Sequence, residues 1–313
     1  MSYIQGGLIE ALDFNTFRTQ LLQVYGVGFG NSGYGQTAIN VPAVAGGLIE
    51  IVKSVEWTNF RNAIEVCRLH QGIAGTLLPP VTQLQPGDLI VAYDGVTNAD
   101  DFPLMLTNIT ASRLTAAPTS TTLFTARSSQ TVSNPWTTQA TTTLDLVWPT
   151  VDAARYFFNS GGEIRVRAER TGGSVSPQNT SWTNLLNGIG SVIMDHVTTD
   201  KTGAQGTGSA FGYYNLPTTN PLQQIFTASP TGTLGYYYGT NTFRVNARTL
   251  GFSGVTGDRG HTIRLQIQLN DIASGPSDVV DGNLTVEVDE LRATTHLTIP
   301  SFTVSTVTAL TAT

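Results

Sequence analysis

The residues of this chain equipped for chemistry are few and scattered. Its four histidines, His70, His196, His261 and His296, fall in neither a His-x-x-x-His nor a His-Glu-x-x-His pattern, so no zinc site is assigned. His70 closes a predicted helix, where an imidazolium would favour the negative end of the helix dipole. Cys67, the single cysteine, lies three residues before it. A Cys–His nucleophile pair needs a third group to orient the base. None is evident, and Cys67 reads more simply as a small core residue. One cysteine also excludes an intrachain disulfide and a thiolate metal cluster within one chain. Asp94, Asp100 and Asp101 gather near one turn, and Asp271, Asp278 and Asp281 near another. Either group has the oxygen chemistry of a calcium site, or of a glycosidase carboxylate pair. Neither matches an EF-hand loop, and Asx-turn capping is the simpler reading. No catalytic residue and no cofactor are assigned.

Gly26-Val-Gly28-Phe29-Gly30-Asn31-Ser-Gly33-Tyr34-Gly35-Gln36 has the glycine density of a phosphate-binding loop. That chemistry requires a strand before the loop and a helix after it. Here a helix precedes it, and no lysine follows at P-loop spacing. The loop is therefore read as a tight structural loop that contacts a neighbouring subunit, with Phe29, Asn31, Tyr34 and Gln36 as the contact candidates. Tyr236, Tyr237 and Tyr238, like the pair Tyr213-Tyr214, are candidates for glycan or protein contact. The plainer alternative is a strand whose alternate tyrosines face the core.

Several elements must position these residues. Gly6-Gly7-Leu8-Ile9-Glu10 recurs as Gly46-Gly47-Leu48-Ile49-Glu50, and each copy leads into an aromatic helical segment. Phe14, Phe17, Leu21 and Val24 form one apolar stripe over Asp13–Tyr25, with Asp13 as N-cap. Trp57, Phe60, Ile64 and Cys67 form a second over Ser54–His70. The two helices are expected to pair through their four aromatic rings. Pro79-Pro80 and Pro86-Gly87 then mark a boundary.

Beyond it the period becomes two. Strands are predicted at Leu89–Tyr93, Leu144–Trp148, Glu163–Arg170, Tyr236–Tyr238, Thr242–Thr249, Thr262–Asn270, Asn283–Ala293 and Leu297–Val307. A short helix is predicted from Ser181 to Gly190, with Ser181 at its cap. The expected fold is mainly β. A helical docking module over 1–80 precedes a Thr/Ser-rich β linker region over 81–150 and an antiparallel β-sandwich-like domain over 151–313.

Charged residues make up only 12% of the 313 residues, the net charge is −6, and 32 are glycine. That balance argues against a nucleic-acid surface. With 40% hydrophobic residues, including 13 Phe, 10 Tyr and 4 Trp, the chain can build a core. No apolar run approaches membrane-spanning length, and Met1–Gln5 has no basic leader, so neither membrane insertion nor secretion is expected. The sequons at Asn108 and Asn179 have no meaning without secretion.

Taken together, the loop Gly33–Gln36, the helix Glu56–Arg61 running on to Cys67–Gln71, the block Ala153-Ala154-Arg155-Tyr156-Phe157-Phe158-Asn159-Ser160-Gly161-Gly162-Glu163-Ile164-Arg165, the Ser181-Trp182 helix and the Gly212–Tyr214 turn carry a resemblance. The chain resembles a family of virion structural proteins of tailed bacteriophages, including cyanophages, described as tail, neck or fibre components. The resemblance spans most of the chain, and the Tyr156–Arg165 motif is its most specific part. It implies a structural role in a virion assembled in the host cytoplasm, with copies of itself and other virion proteins as partners. It supplies no catalytic residues. The alternatives are a host-glycan-binding fibre or spike module, a head decoration protein and a glycan-cleaving enzyme.

Overall fold

The structure is a computed structural model that describes residues 11–37, 54–73, 102–253, 259–273 and 279–313. Both Gly-Gly-Leu-Ile-Glu copies, the predicted strand at 89–93, and Asp94, Asp100, Asp101 and Asp278 lie outside these residues.

In chain order the helices α1 (Ala11–Val24), α2 (Ser54–Gln71) and α3 (Phe102–Ala111) come first. Strands β1 (Thr121–Val132) and β2 (Gln139–Val147) follow, then α4 (Val151–Asn159), β3 (Glu163–Thr171) and α5 (Pro177–Ile189). The remainder is β4 (Ser191–Met194), β5 (Thr199–Lys201), β6 (Gln223–Ala228), α6 (Gly232–Tyr238), β7 (Thr242–Leu250), β8 (Thr262–Asn270), β9 (Asn283–Ala293) and β10 (Thr303–Ala312). The fold is mainly β, with a helical N-terminal segment ahead of the strands.

The chain divides into two compact units. The first comprises residues 1–122, 155–161 and 293–299. Its core is aromatic. Phe14 of α1 meets Trp57 of α2 edge-on at 4.9 Å, and Phe17 lies 6.4 Å from Phe60. The expected pairing of the two stripes is thus present. Helix α3 lies in the stretch expected to be a β linker region. Its Phe102 sits 5.5 Å from Trp57 and 5.4 Å from Phe60, completing the cluster. Each such ring pair adds about 0.5–1.5 kcal/mol beyond simple burial. Asp13 lies inside the first turn of α1, not at its cap.

The second unit, residues 123–154, 162–292 and 300–313, is β-sandwich-like. It holds two five-stranded antiparallel sheets, ordered β1-β9-β3-β4-β5 and β10-β2-β8-β7-β6. The alternation read from the sequence sets the register. In the second sheet Leu144 of β2 pairs with Leu265 of β8, which pairs with Ala247 of β7, and all three are buried. One residue along, Asp145 pairs with Arg264 on the outward face and accepts two hydrogen bonds from it, each 2.8 Å. A one-residue slip would exchange these two sets. In the first sheet Ile164, Val166 and Ala168 of β3 face inward with Val286 and Val288 of β9.

Helix α5 begins earlier than predicted. Ser176, not Ser181, is its N-cap, its hydroxyl accepting from the Asn179 N–H at 3.1 Å. The predicted Tyr236–Tyr238 strand is helix α6 instead. Three consecutive aromatics suit a strand by propensity, but the run is too short to show a period. The last strand runs from Thr303 to Ala312 where Leu297–Val307 was expected.

Candidate functional site

The glycine loop of the first unit is built by a chain that turns back on the end of α1. Tyr34 N–H donates to the Val24 carbonyl at 2.8 Å, Gly35 N–H to Gly26 at 2.8 Å and Gln36 N–H to Tyr25 at 3.1 Å. At the narrowest point the loop crosses itself. A Cβ on Gly28 (φ +50°) would stand 2.3 Å from the Ser32 carbonyl oxygen, and one on Gly33 (φ +91°) would stand 2.5 Å from that of Val27. Only glycine accepts both the left-handed backbone and the approach.

A loop this tight leaves main-chain carbonyls pointing into the protein, and these need donors. Arg155 supplies them. Its guanidinium is buried and donates through Nη1 to Gly30 at 2.9 Å and Ser32 at 3.1 Å, and through Nη2 to Val27 at 3.0 Å. One turn later Asn159, fully buried, donates from Nδ2 to the Gly33 carbonyl at 3.0 Å. Arg113 adds a bond from Nε to the Asn31 carbonyl at 3.1 Å. A planar fork that satisfies several acceptors at once is a property of arginine that lysine lacks. Arg155 and Asn159 lie one turn apart on α4, and clamping this loop is their shared task.

The four loop candidates divide into two kinds. Phe29 is 58% exposed and Asn31 is exposed, with Val27 beside them at 68%. Tyr34 turns inward and Gln36, half-buried, is tied to the main chain of Thr298, so neither is a free outward contact. Tyr34 is buried. Its hydroxyl donates to the Arg113 carbonyl at 2.7 Å and accepts from Gln71 Nε2 at 2.7 Å. Gln36 exchanges two bonds with the main chain of Thr298, giving from Nε2 at 3.3 Å and accepting from the Thr298 N–H at 3.0 Å. Both are anchors of the loop. The missing signal was Arg155: a lone arginine in an apolar helical run marks a buried acceptor set, but sequence cannot say which one.

His70 lies under the Tyr34 ring, edge to face at 5.2 Å, and is fully buried. Burial pushes its pKa down to about 4, with the Ser160 main chain opposing the shift and nearby His296 adding to it. The imidazole is therefore neutral at pH 7, which corrects its expected role as a cation at the helix end. Cys67 is fully buried, and the same desolvation pushes its thiol far up, away from the thiolate form that reacts.

In the second unit the tyrosine triplet also divides. Tyr236 is 85% and Tyr237 50% exposed, their rings perpendicular at 5.0 Å, whereas Tyr238 is fully buried. The turn aspartates that are described hold protein groups. Asp281 accepts from Arg170, from the Ser174 N–H and from Asn179. The Ser174 bond leads in holding its carboxyl below the usual range. Asp271, buried beside α5, accepts from Gln178 and from Asn241. Among the described residues no three His, Cys, Asp or Glu side chains gather as a metal site, and no helix is long and apolar enough to cross a membrane.

No family model, curated protein or solved structure matches this chain. The glycine loop presents an apolar tip on a main chain fixed by side chains distant in sequence. Such a tip can bind another protein surface with little loss of conformational entropy on contact.

Proposed function

We propose that this protein is a structural component of a tailed-bacteriophage virion, part of the neck, tail or fibre apparatus, that works by assembling with copies of itself and docking to other virion proteins. The observation that carries the reading is the clamp. Arg155 and Asn159, in the block of strongest family resemblance, hold the glycine loop so that Val27 and Phe29 face outward. Fixed apolar side chains on a rigid loop are what a repeated subunit needs to dock reproducibly. The low charge of the chain suits the burial of wide faces between subunits.

The test is the composition of particles produced in a host that supplies the tagged chain. The reading expects the protein in purified virions at many copies, visible by electron cryomicroscopy as a symmetric component. A Phe29→Asp variant should be incorporated at least tenfold less than the native chain. Absence of the chain from purified particles would sink the reading.

A second reading, a host-glycan-binding fibre module, draws on Tyr236 and Tyr237, whose exposed perpendicular rings offer a stacking platform for a sugar face. Glycan-array binding that is lost in Tyr236→Ala/Tyr237→Ala would favour it. Placement as a head decoration protein would be recognised by the same cryomicroscopy.

A further inference from the structure

The two flanks of the sandwich-like unit are finished differently. On one, the edge strands are β5 and β6, both short. The segment 207–209 seals them together. Ser209 exchanges two main-chain bonds of 2.9 Å with Thr199 of β5, and Thr207 exchanges bonds of 2.8 and 3.1 Å with Thr227 of β6. The approach is close enough that a Cβ on Gly208 would stand 1.8 Å from the Thr199 carbonyl oxygen. β5 also carries Asp200 and Lys201, charges of the kind that blunt an edge.

The other flank is formed by the edge strands β1 and β10. Gln130 of β1 places them side by side, its Oε1 accepting from the Leu310 N–H at 2.6 Å and from the Thr142 hydroxyl at 3.1 Å. No described segment seals this flank. β1 has twelve residues and one charge, Arg127, which pairs with Glu290 at 2.5 Å. β10 has ten residues, Thr-Val-Ser-Thr-Val-Thr-Ala-Leu-Thr-Ala, with no charge and no proline. Ser305 to Ala309 are exposed in succession, so both pleat faces of β10 are open, and Val307 is 46% exposed. Of the usual protections of an edge, β10 retains only its two register shifts, after Thr306 and after Thr308.

We propose that this open flank is the surface by which two copies of the chain join, β10 pairing antiparallel with β10 of the second copy. The contrast among the described residues argues for it: β5 and β6 are sealed by segment 207–209 and β5 is charged, whereas β10 has no such seal and no charge. The occupant follows from the symmetry of self-pairing. In a two-fold contact the strand faces itself, so any charge near the axis meets its own kind. A strand with no charge escapes that penalty along its whole length, and Thr and Val are favourable cross-strand partners. The inference rests on the assembly reading above and gives it a surface.

The test uses the full chain, with molecular mass measured by sedimentation at about 1 to 100 µM. The native chain is expected to form a dimer or a multiple of one. Ser305→Lys/Val307→Lys sets like charges against each other and is expected to raise the dissociation constant at least tenfold. Gln224→Lys on the sealed flank is expected to change nothing. If the double lysine variant loses its circular dichroism, Val307→Cys replaces it, and mild oxidation is expected to give a covalent dimer, since the native Cys67 is buried. An oligomer that survives the lysines and yields no cross-link overturns the β10 contact and leaves the assembly reading standing. A native chain that stays monomeric throughout overturns both.

Discussion

Acid should loosen the glycine loop through His70. In the unfolded chain this imidazole titrates near 6.5, and in the folded chain near 4. Between those values the unfolded chain binds a proton that the folded chain refuses. The His70 contribution to stability is therefore full above pH 6.5, is lost as the pH drops towards 4, and changes no further below it. At about 1.36 kcal/mol per pH unit, the gap from 6.5 to about 4 amounts to about 3 kcal/mol, a large part of the stability of an ordinary domain. The loss falls where the loop is anchored, because the His70 ring supports Tyr34. Urea unfolding of the full chain and of His70→Leu between pH 7 and pH 4 isolates the effect. The native chain should lose about 3 kcal/mol more than the variant over that range. Amide exchange at Tyr34 and Gly35, corrected for pH, should quicken by about two orders of magnitude. An NMR titration of His70 centred near 6.5, or parallel stability losses in both chains, would refute the reasoning.

Three further outcomes follow from the packing. Arg155→Ala strands three loop carbonyls and should destabilise the first unit by about 3 kcal/mol, with Arg155→Lys recovering only part of it, as read by thermal unfolding. Gly28→Ala forces a Cβ against the Ser32 carbonyl in a left-handed backbone and should cost about 2 kcal/mol, with faster proteolysis within 26–36. Tyr236→Ala should leave stability within about 0.5 kcal/mol, whereas Tyr238→Ala, two residues on but fully buried, should cost about 3–5 kcal/mol in the same melts.

The sequence announced the periodic elements and hid the contacts that cross between them. Thr262–Asn270 alternates without a fault and is a strand over those same residues, because one wet face and one dry face leave no other solution. The aromatic stripes of α1 and α2 were equally plain. Phe102 was not, since α3 is a short, strongly apolar helix without a clean polar face. Tyr236–Tyr238 misled because aromatic content favours strand, while a run of three is too short to show the period of the helix it ends. At the loop, glycine density revealed the tightness and nothing of the direction of each side chain. Tyr34 points inward to Gln71 and Arg113 and Gln36 is held by Thr298, partners that lie 37, 79 and 262 residues away. Chemical type alone could not separate them from Phe29.

That last separation has a consequence during synthesis. The first unit is assembled from three stretches of chain, the last of them residues 293–299. Gln36 leaves the ribosome 262 residues ahead of Thr298. At about 5–20 residues per second, the N-terminal helices wait roughly 13–50 s for their final segment. Through that interval the loop lacks its Thr298 contact, and for the earlier part it also lacks Arg155. On the assembly reading proposed above, the loop that would dock neighbouring subunits gains its last anchor only once residue 298 has been made.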